Sequence, residues 1–525
     1  MKDKVITTLE LVLKKLNFST NVTLTDAKGH SDFATNVAMK LAKEHKTNPL
    51  IIAQKIAQEL TADFIDKVEV ASPGFINIFL HKSSHSAIIS KILEEKDNYG
   101  RAQQGKYINV EYISANPTGY LHIGHGSNAA VGSSLSAILK FAGNRVDQEY
   151  YVNDGGIQME ILGASTFIRY QQLLGKKVSL PSAAYHGVEI IDVAKLLVQA
   201  VGDKYLNLPL EQGKLLVVDY AKDYMLKKIK QHLASFGVVM DIYYSEKTLY
   251  EQNLIKKTLD KLPSVYQKDG ATWMATSKFG DDKDRVVIKK DQTFTYFAPD
   301  IAYHDVKLAR GYDELINVWG SDHTSYALRI KIALQELGLP TDKLDILTIQ
   351  MVRLVKNGVE FKMSKRSGNA LSLKDLINLV GKDAARFYLV NRSPNTQLDF
   401  DIELATKKSH DNHVFTLQYT HARAHQLLNK SLMSPKVGDY EANEKALINF
   451  LGEFPDLIIK IANSHRVNLL AKYLISLAQL FNSFYANFKI IGSPREETLL
   501  ALVQATKQVL QTGLSLLGVN APNKM

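Results

Sequence analysis

His122-Ile123-Gly124-His125, followed about 240 residues later by Lys362-Met363-Ser364-Lys365, concentrates the chemistry of this chain. Two imidazoles three residues apart fall on one helical face, where they can donate hydrogen bonds to charge developing on a phosphoryl oxygen. The first element sits in a stretch of loop formers, Asn116-Pro117-Thr118-Gly119 through Gly126. A Gly-rich loop ahead of a helix lets backbone amides and the helix dipole approach a phosphate closely. Gly124 between the two rings leaves room for the flat face of an adenine. An isolated His-x-x-His is most often a turn with satisfied polar residues, and a zinc site is a second alternative. No nearby Cys or Glu completes a zinc ligand set. The second element, Lys362-Met363-Ser364-Lys365-Arg366-Ser367-Gly368-Asn369, gathers three cations within five residues. Alone it reads as a basic surface loop. A cationic loop that closes on a pyrophosphate leaving group neutralises charge that builds only in the transition state. Two phosphate-handling elements in this order, on either side of α/β sequence, point to cleavage of ATP at its α-phosphate.

The surrounding pattern supplies elements to position them. Residues 107–113 form a strand candidate, 114–126 a loop, and Val131, Leu135, Ile138 and Ala142 a helical stripe before a second strand candidate at 146–152. This βαβ unit predicts an α/β, doubly wound (Rossmann-type) parallel-sheet catalytic domain over 105–400. Residues about 155–250 read as a mostly helical insertion. Strand signals return at 285–289, 315–319 and 349–355, and Asn357-Gly358 predicts a tight hairpin just before the Lys-rich element.

Residues 1–104 predict a small α+β N-terminal domain. Asn48-Pro49 starts a helix with Ile52, Ile56 and Leu60 on one face, and Ser72-Pro73-Gly74 turns between strand-like runs at 68–70 and 75–80. The polar stretch 94–105 reads as a linker. Beyond 400 strand signals fade. Leu417, His421, Ala424 and Leu428 form one helical stripe and Leu470, Leu474, Leu477, Phe481 and Phe484 another, which predicts an all-α C-terminal bundle over 401–525.

Composition is that of an ordinary globular chain, with 45% hydrophobic and 22% charged residues in 525. The formal net charge of +10 favours a polyanionic partner, although a basic solvated surface is the bland alternative. The chain has no cysteine, which excludes disulfides, thiolate catalysis and Cys-based zinc sites. No apolar run approaches 18 residues and the first residues lack the apolar core of a signal peptide, so neither a membrane span nor export is expected.

The two elements resemble the signatures of class I aminoacyl-tRNA synthetases, and further stretches narrow the resemblance to the arginyl-tRNA synthetase family. These are Val110-Glu111-Tyr112-Ile113-Ser114-Ala115-Asn116-Pro117-Thr118-Gly119, Glu149-Tyr150-Tyr151-Val152-Asn153-Asp154-Gly155-Gly156 and Tyr185-His186-Gly187. Asp281-Asp282-Lys283-Asp284-Arg285, Tyr296-Phe297-Ala298-Pro299-Asp300-Ile301-Ala302-Tyr303-His304, Val318-Trp319-Gly320-Ser321-Asp322-His323 and Gln418-Tyr419-Thr420-His421-Ala422-Arg423 extend the match along the chain.

The resemblance implies that Glu111 and Asp300 hold the guanidinium of L-arginine, with Tyr296 shaping the pocket and Ser114 and Asn116 holding the α-amino and carboxylate end. A buried guanidinium needs paired, preferably bidentate, acceptors. For ATP it implies Pro117, Thr118, Gly119, His122, Gly124, His125, Gly320, Asp322, His323, Met363, Ser364 and Lys365, with His122, His125, Lys362 and Lys365 as the catalytic set. ATP is a substrate accompanied by Mg2+, and no zinc is expected. Arginine is activated to arginyl-adenylate, then transferred to the 2′-hydroxyl of the terminal adenosine of tRNA(Arg), with cognate tRNA bound first. The N-terminal domain, through Phe33-Ala34-Thr35-Asn36 and Ser72-Pro73-Gly74-Phe75, is expected at the outer corner of the tRNA. The bundle is expected at the anticodon, with Tyr419, His421 and Arg423 at its entrance. A cytoplasmic monomer is expected. Ser127-Asn128 and Thr324-Ser325 depart from the family pattern beside matched residues. Rival readings are another class I specificity, a small-molecule nucleotidyltransferase and a non-catalytic tRNA-binding paralogue. The cysteinyl enzyme's thiolate zinc site is impossible here, and the paralogue is disfavoured by the intact His and Lys signatures.

Overall fold

The computed structural model describes residues 1–25, 31–321, 324–361, 371–393 and 396–525. At the N-terminus, α1 (Lys2–Lys15), α2 (Val37–His45) and α3 (Pro49–Glu59) pack on β1 (Phe33–Thr35), β2 (Ile65–Ala71) and β3 (Phe75–Leu80). These strands form an antiparallel sheet in the order β1-β3-β2 over a core that includes Leu9, Ile52, Ile56 and Ile78. Asn48 caps α3 by accepting from the Leu50 amide at 2.9 Å, and Pro49 follows where a missing N–H is harmless. The next helix, α4 (Lys82–Glu95), was not singled out by the sequence pattern. Its Ile88, Ile89 and Ile92 are buried in a core continuous with the C-terminal helices. The polar 94–105 stretch is anchored too, by buried Tyr99 stacked at 6.2 Å on Phe454. An amphipathic pattern tells that a face is buried, not against which partner.

The central domain begins with β4 (Tyr107–Tyr112), α5 (Ile123–Phe141) and β5 (Arg145–Val152), the predicted βαβ unit. Helices α6 (Ile157–Leu173), α7 (Val188–Val201) and α8 (Leu210–Ser235) follow. The helical stretch then closes with β6 (Ile242–Ser245), a strand of the parallel sheet, which four residues were too few to announce by periodicity. Short helices α9 (Lys247–Glu251) and α10 (Leu254–Leu259) lead to an antiparallel sheet of β7 (Val265–Lys268), β8 (Ala271–Met274) and β9 (Arg285–Ile288). The strand expected at 285–289 therefore exists but lies outside the parallel sheet.

Helix α11 (Phe297–Ala309), β10 (Glu314–Gly320), α12 (Thr324–Glu336) and β11 (Leu344–Ile349) complete the parallel sheet, ordered β11-β10-β4-β5-β6 among the described residues. Strand order reverses between β4 and β10, the switch point at whose carboxyl edge ligands bind in such sheets. The run 349–355 divides, because the chain leaves β11 at Ile349 and enters a separate sheet at β12 (Val352–Lys356). There β12 turns through Asn357 and Gly358, at φ 55° and 72°, into β13 (Val359–Glu360). Positive φ at both turn residues is what the Asn-Gly hairpin signal anticipates.

Helices α13 (Leu373–Val380) and α14 (Lys382–Val390), strand β14 (Leu398–Asp401), paired to β12, and α15 (Ile402–Thr406) lead into the bundle. The bundle comprises α16 (His413–Lys430), α17 (Ala442–Gly452), α18 (Phe454–Ser464), α19 (Asn468–Asn487) and α20 (Glu496–Leu516). The stripe Leu470, Leu474, Leu477, Phe481 and Phe484 is buried throughout, as predicted. Arg386, 2% exposed, ties the bundle to the sheet domain by donating to the carbonyls of Leu517 (2.9 Å) and Phe236 (3.0 Å) and to the Ser133 hydroxyl (2.8 Å). Burial lowers its pKa to about 10, still leaving it charged at neutral pH.

Candidate active site

A cavity of about 1000 Å³ opens at the carboxyl edge of β4 and β10. The structure brings Glu111, Ser114, Asn116, His122, Gly124, His125, Tyr296, Asp300 and Gly320 of the predicted site to its wall. Pro117, Thr118 and Gly119 are not in that wall: the loop turns toward the helical insertion, where a Cβ on Gly119 would stand 3.0 Å from the Glu189 carboxylate. Asp322 and His323, and Lys362, Met363, Ser364 and Lys365, lie outside the described residues. Leu373 donates to the Leu121 carbonyl at 2.7 Å, so a residue shortly after the second signature in sequence meets the first.

The signature histidines cap their own helix. His122 is the N-cap of α5, and its Nδ1 accepts from the Gly124 amide at 3.1 Å. The His122 amide donates to Nδ1 of His125 at 3.2 Å. Because a backbone amide can only donate, both Nδ1 atoms are unprotonated in the neutral rings and each Nε2 carries the proton. The rings stack with centroids 3.7 Å apart. Burial lowers the His122 pKa, and burial followed by the neighbouring His122 lowers that of His125 to about 3. The pair therefore offers two neutral N–H donors. A Cβ on Gly124 would meet the His122 ring at 2.9 Å, so this glycine first makes room for the capping imidazole rather than for an adenine.

Glu111 lies on β4, where strand alternation alone does not say which face a side chain takes. In the structure β4 is central in a parallel sheet covered on both faces, and Glu111 is buried. One oxygen accepts from Nζ of Lys307 at 2.8 Å and the other from the Ser114 hydroxyl at 3.0 Å. Lys307 is 0% exposed and also donates to Oδ1 of Asn317, the residue opposite Glu111 on β10. Asn317 Nδ2 donates to His304 Nε2 (2.7 Å), and His304 Nδ1 donates to the Asp300 carbonyl (2.7 Å). Burial lowers the His304 pKa to about 3, in keeping with a neutral ring. Glu111 thus enters the site already neutralised.

Asp300 is different. Its described side-chain partner is the Tyr326 hydroxyl at 2.6 Å. Burial, then the Glu111 charge, push its pKa up to about 7 against that hydrogen bond. Nearby stands Glu246, directly after β6 and 5% exposed, which the sequence reading missed. Among the described residues Glu246 Oε2 has no partner, and Oε1 accepts a long contact of 3.4 Å from Tyr250. Burial, then Asp300 and Asp154, raise its pKa to about 7. Two carboxyls held near neutrality in one cavity ask for a cation. No periodicity marks Glu246. Lys307 was missed as well, although a signal was there: it follows Asp300 and His304 at i+7 and i+3 on one side of α11, with His304 and Lys307 buried.

In the bundle, Arg423 lies between the rings of Tyr419 (4.6 Å) and Tyr485 (4.7 Å) and donates to Asn482 at 3.2 Å, beside a groove of about 560 Å³. His421, predicted beside them, is 0% exposed and bonds the Pro522 carbonyl through Nδ1 at 2.8 Å. It faces inward and ties down the C-terminal segment, because residues two apart on a helix point to different sides.

Among the described residues, no group of three His, Asp or Glu side chains is placed to hold a metal ion, and no helix is long and apolar enough to cross a membrane. Three family models match the chain: the arginyl tRNA synthetase N-terminal domain over 1–80, the class I (R) tRNA synthetase catalytic domain over 88–401 and the DALR anticodon binding domain over 417–525. The chain is 44% identical to the arginine–tRNA ligase of Metamycoplasma arthritidis, covering 100% of this chain and 99% of that one. It is 46% identical to the arginine–tRNA ligase of Mycoplasma mobile, over 98% of each. The fold is that of the Thermus thermophilus arginyl-tRNA synthetase, at a TM-score of 0.80 and 22% identity over the full length of both.

Proposed function

The chain belongs to the arginyl-tRNA synthetase family and is an arginine–tRNA ligase, and from that premise we propose how its side chains do the work. The carrying observation is the pair of under-neutralised carboxyls, Asp300 and Glu246, in a cavity that also holds two neutral imidazole donors. Asp300 and Glu246 take the guanidinium of L-arginine, with Tyr296 at the mouth of the pocket. Glu111, clamped by Lys307, holds Ser114, which with Asn116 receives the α-amino and carboxylate end. A guanidinium between two carboxylates satisfies both and restores their ionised forms. Competitors lacking that head group would leave them unpaired, which gives discrimination without an editing step.

ATP binds as substrate over the N-terminus of α5, with Mg2+ travelling on its phosphates and Gly320, Asp322 and His323 meeting the nucleoside. The arginine carboxylate attacks the α-phosphorus and pyrophosphate leaves. His122 and His125 donate from Nε2 to the phosphoryl oxygens, and Lys362 and Lys365, with Met363 and Ser364 between them, neutralise the departing pyrophosphate. Catalysis is positioning and charge stabilisation, with no protein nucleophile. In the second step the 2′-hydroxyl of the terminal adenosine of tRNA(Arg) attacks the arginyl carbonyl and AMP leaves. The chain divides as 1–104, 105–400 and 401–525, for the outer corner of the tRNA, the chemistry and the anticodon, with Tyr419 and Arg423 on the RNA face. It works as a cytoplasmic monomer.

Arginine-dependent ATP–pyrophosphate exchange, with and without tRNA(Arg), tests this reading. Exchange only with the tRNA present is expected. No exchange with arginine under either condition, from folded protein that binds tRNA, would overturn it.

A further inference from the structure

The backbone leaves β4 through two consecutive left-handed residues, Ile113 at φ 74° and Ser114 at φ 43°. For a β-branched residue that conformation is a true outlier and persists only where neighbours hold it. The strand ladder does not hold it: pairing to β10 stops at Tyr112 opposite Val318, and pairing to β5 stops at Glu111. The Ile113 amide is instead taken by the side-chain oxygen of Asn128, at 3.1 Å. The turn so held points the Ser114 hydroxyl at Glu111 (3.0 Å) while its oxygen accepts from the Tyr151 amide (3.1 Å). It also turns the Ala115 carbonyl to the Tyr150 hydroxyl at 2.6 Å. Asn128 is buried, sits one helical turn beyond His125 on α5 and lines the same cavity.

We propose that Asn128 is a positioning residue for the amino-acid substrate. By accepting from the Ile113 amide it locks the left-handed turn that aims Ser114 and Asn116, and it joins that turn to the helix carrying His122 and His125. The proposal rests on the reading of this cavity as the arginine site.

The test is steady-state aminoacylation of tRNA(Arg) by wild type, Asn128→Leu and Asn128→Asp, varying arginine and ATP separately. Asn128→Leu keeps the volume and removes the acceptor, and is expected to raise the arginine KM about tenfold, the scale of one buried hydrogen bond, while the ATP KM moves less than about threefold. Asn128→Asp keeps the acceptor and is expected to recover most of that loss. An unchanged arginine KM in Asn128→Leu, or equal losses in both variants, would overturn the proposal. Should Asn128→Leu fail to fold, Asn128→Ser, whose oxygen falls short of the amide, takes its place. Adding Ile113→Gly to it should then lower the arginine KM again, because glycine takes positive φ unaided. No such recovery would count against the turn as the cause. A wild type that charges nothing with arginine would remove the site reading, and this proposal with it; the variant outcomes are judged as ratios to an active wild type.

Discussion

In the cavity at the switch point of the sheet, Asp300 meets the Glu111 charge and Glu246 the Asp300 charge, with tyrosine hydroxyls as their described side-chain partners. In the groove of the bundle, Arg423 is already sandwiched by Tyr419 and Tyr485 and bonded to Asn482. One region withholds a counter-charge inside a shielded space, and the other presents a satisfied cation on an open face. On the proposed reading the difference follows from the ligand each takes. A small cation is recognised by completing an electrostatic set that water cannot complete, so discrimination is bought by burial. A polyanion is held at many points on a solvated surface, where stacking and charge act with little reorganisation. Within the cavity the same contrast recurs, because Lys307 is hydrogen-bonded to Glu111, while among the described residues Asp300 and Glu246 have no direct ion pair.

Lys307→Met should produce the largest effect. It strands Glu111 in the core, a loss of about 3–5 kcal/mol in urea-unfolding stability; a loss under 1 kcal/mol would mean that the Glu111–Lys307 pair is not the neutralised half of the pocket. Asp300→Asn should come next, lowering kcat/KM for arginine about a hundredfold, as expected of a charge-assisted bond lost from a shielded site. If the ATP KM rose as much as the arginine KM, Asp300 would not belong to the guanidinium.

The pH dependence is smaller. With both carboxyls raised to about 7 in the free protein, arginine binding needs them ionised, so the arginine KM should climb as pH falls below 7. Glu246→Gln should raise the arginine KM at neutral pH and flatten that acid limb. Stability runs the other way. A carboxyl whose folded pKa is raised contributes most below its unfolded value and loses that contribution as pH rises through about 7, so the free protein's melting temperature should fall between pH 4 and 7 more in wild type than in Glu246→Gln. Arg423→Ala should have the smallest effect, raising the tRNA KM roughly three- to tenfold with little change in the arginine KM, on the scale of an exposed cation–π contact. A shift in both constants would erase the division between the two regions.

Elements with long periodic patterns were legible in the sequence, and the fold class followed from them. α5 and α19 stand where their stripes put them, and the Asn357-Gly358 hairpin turns as its residues require. Short or ambiguous pieces were not legible. β6 to β8 are four residues each, and α4 carries an apolar face whose destination no local pattern states. In the site, residue types near the signatures pointed to the wall of one cavity, but Glu246 sits in no pattern, and His421 turns inward with the apolar stripe of Leu417 and Ala424 instead of joining Tyr419 and Arg423.

By itself the sequence determined which chemistry the chain carries, because His122, His125 and the Lys-rich element are set by residue type at fixed spacing, and spacing along a helix or loop is a local property. Only the tertiary structure decided the state of the described site groups. The capping box sets which nitrogen of each imidazole holds its proton. The neighbouring Lys307 makes Glu111 a paired carboxylate, and burial, only partly offset at Asp300 by the same Lys307, makes Asp300 and Glu246 acids of about pKa 7. Protonation and pairing depend on distances between segments remote in the chain, and those exist only once the sheet has brought them together.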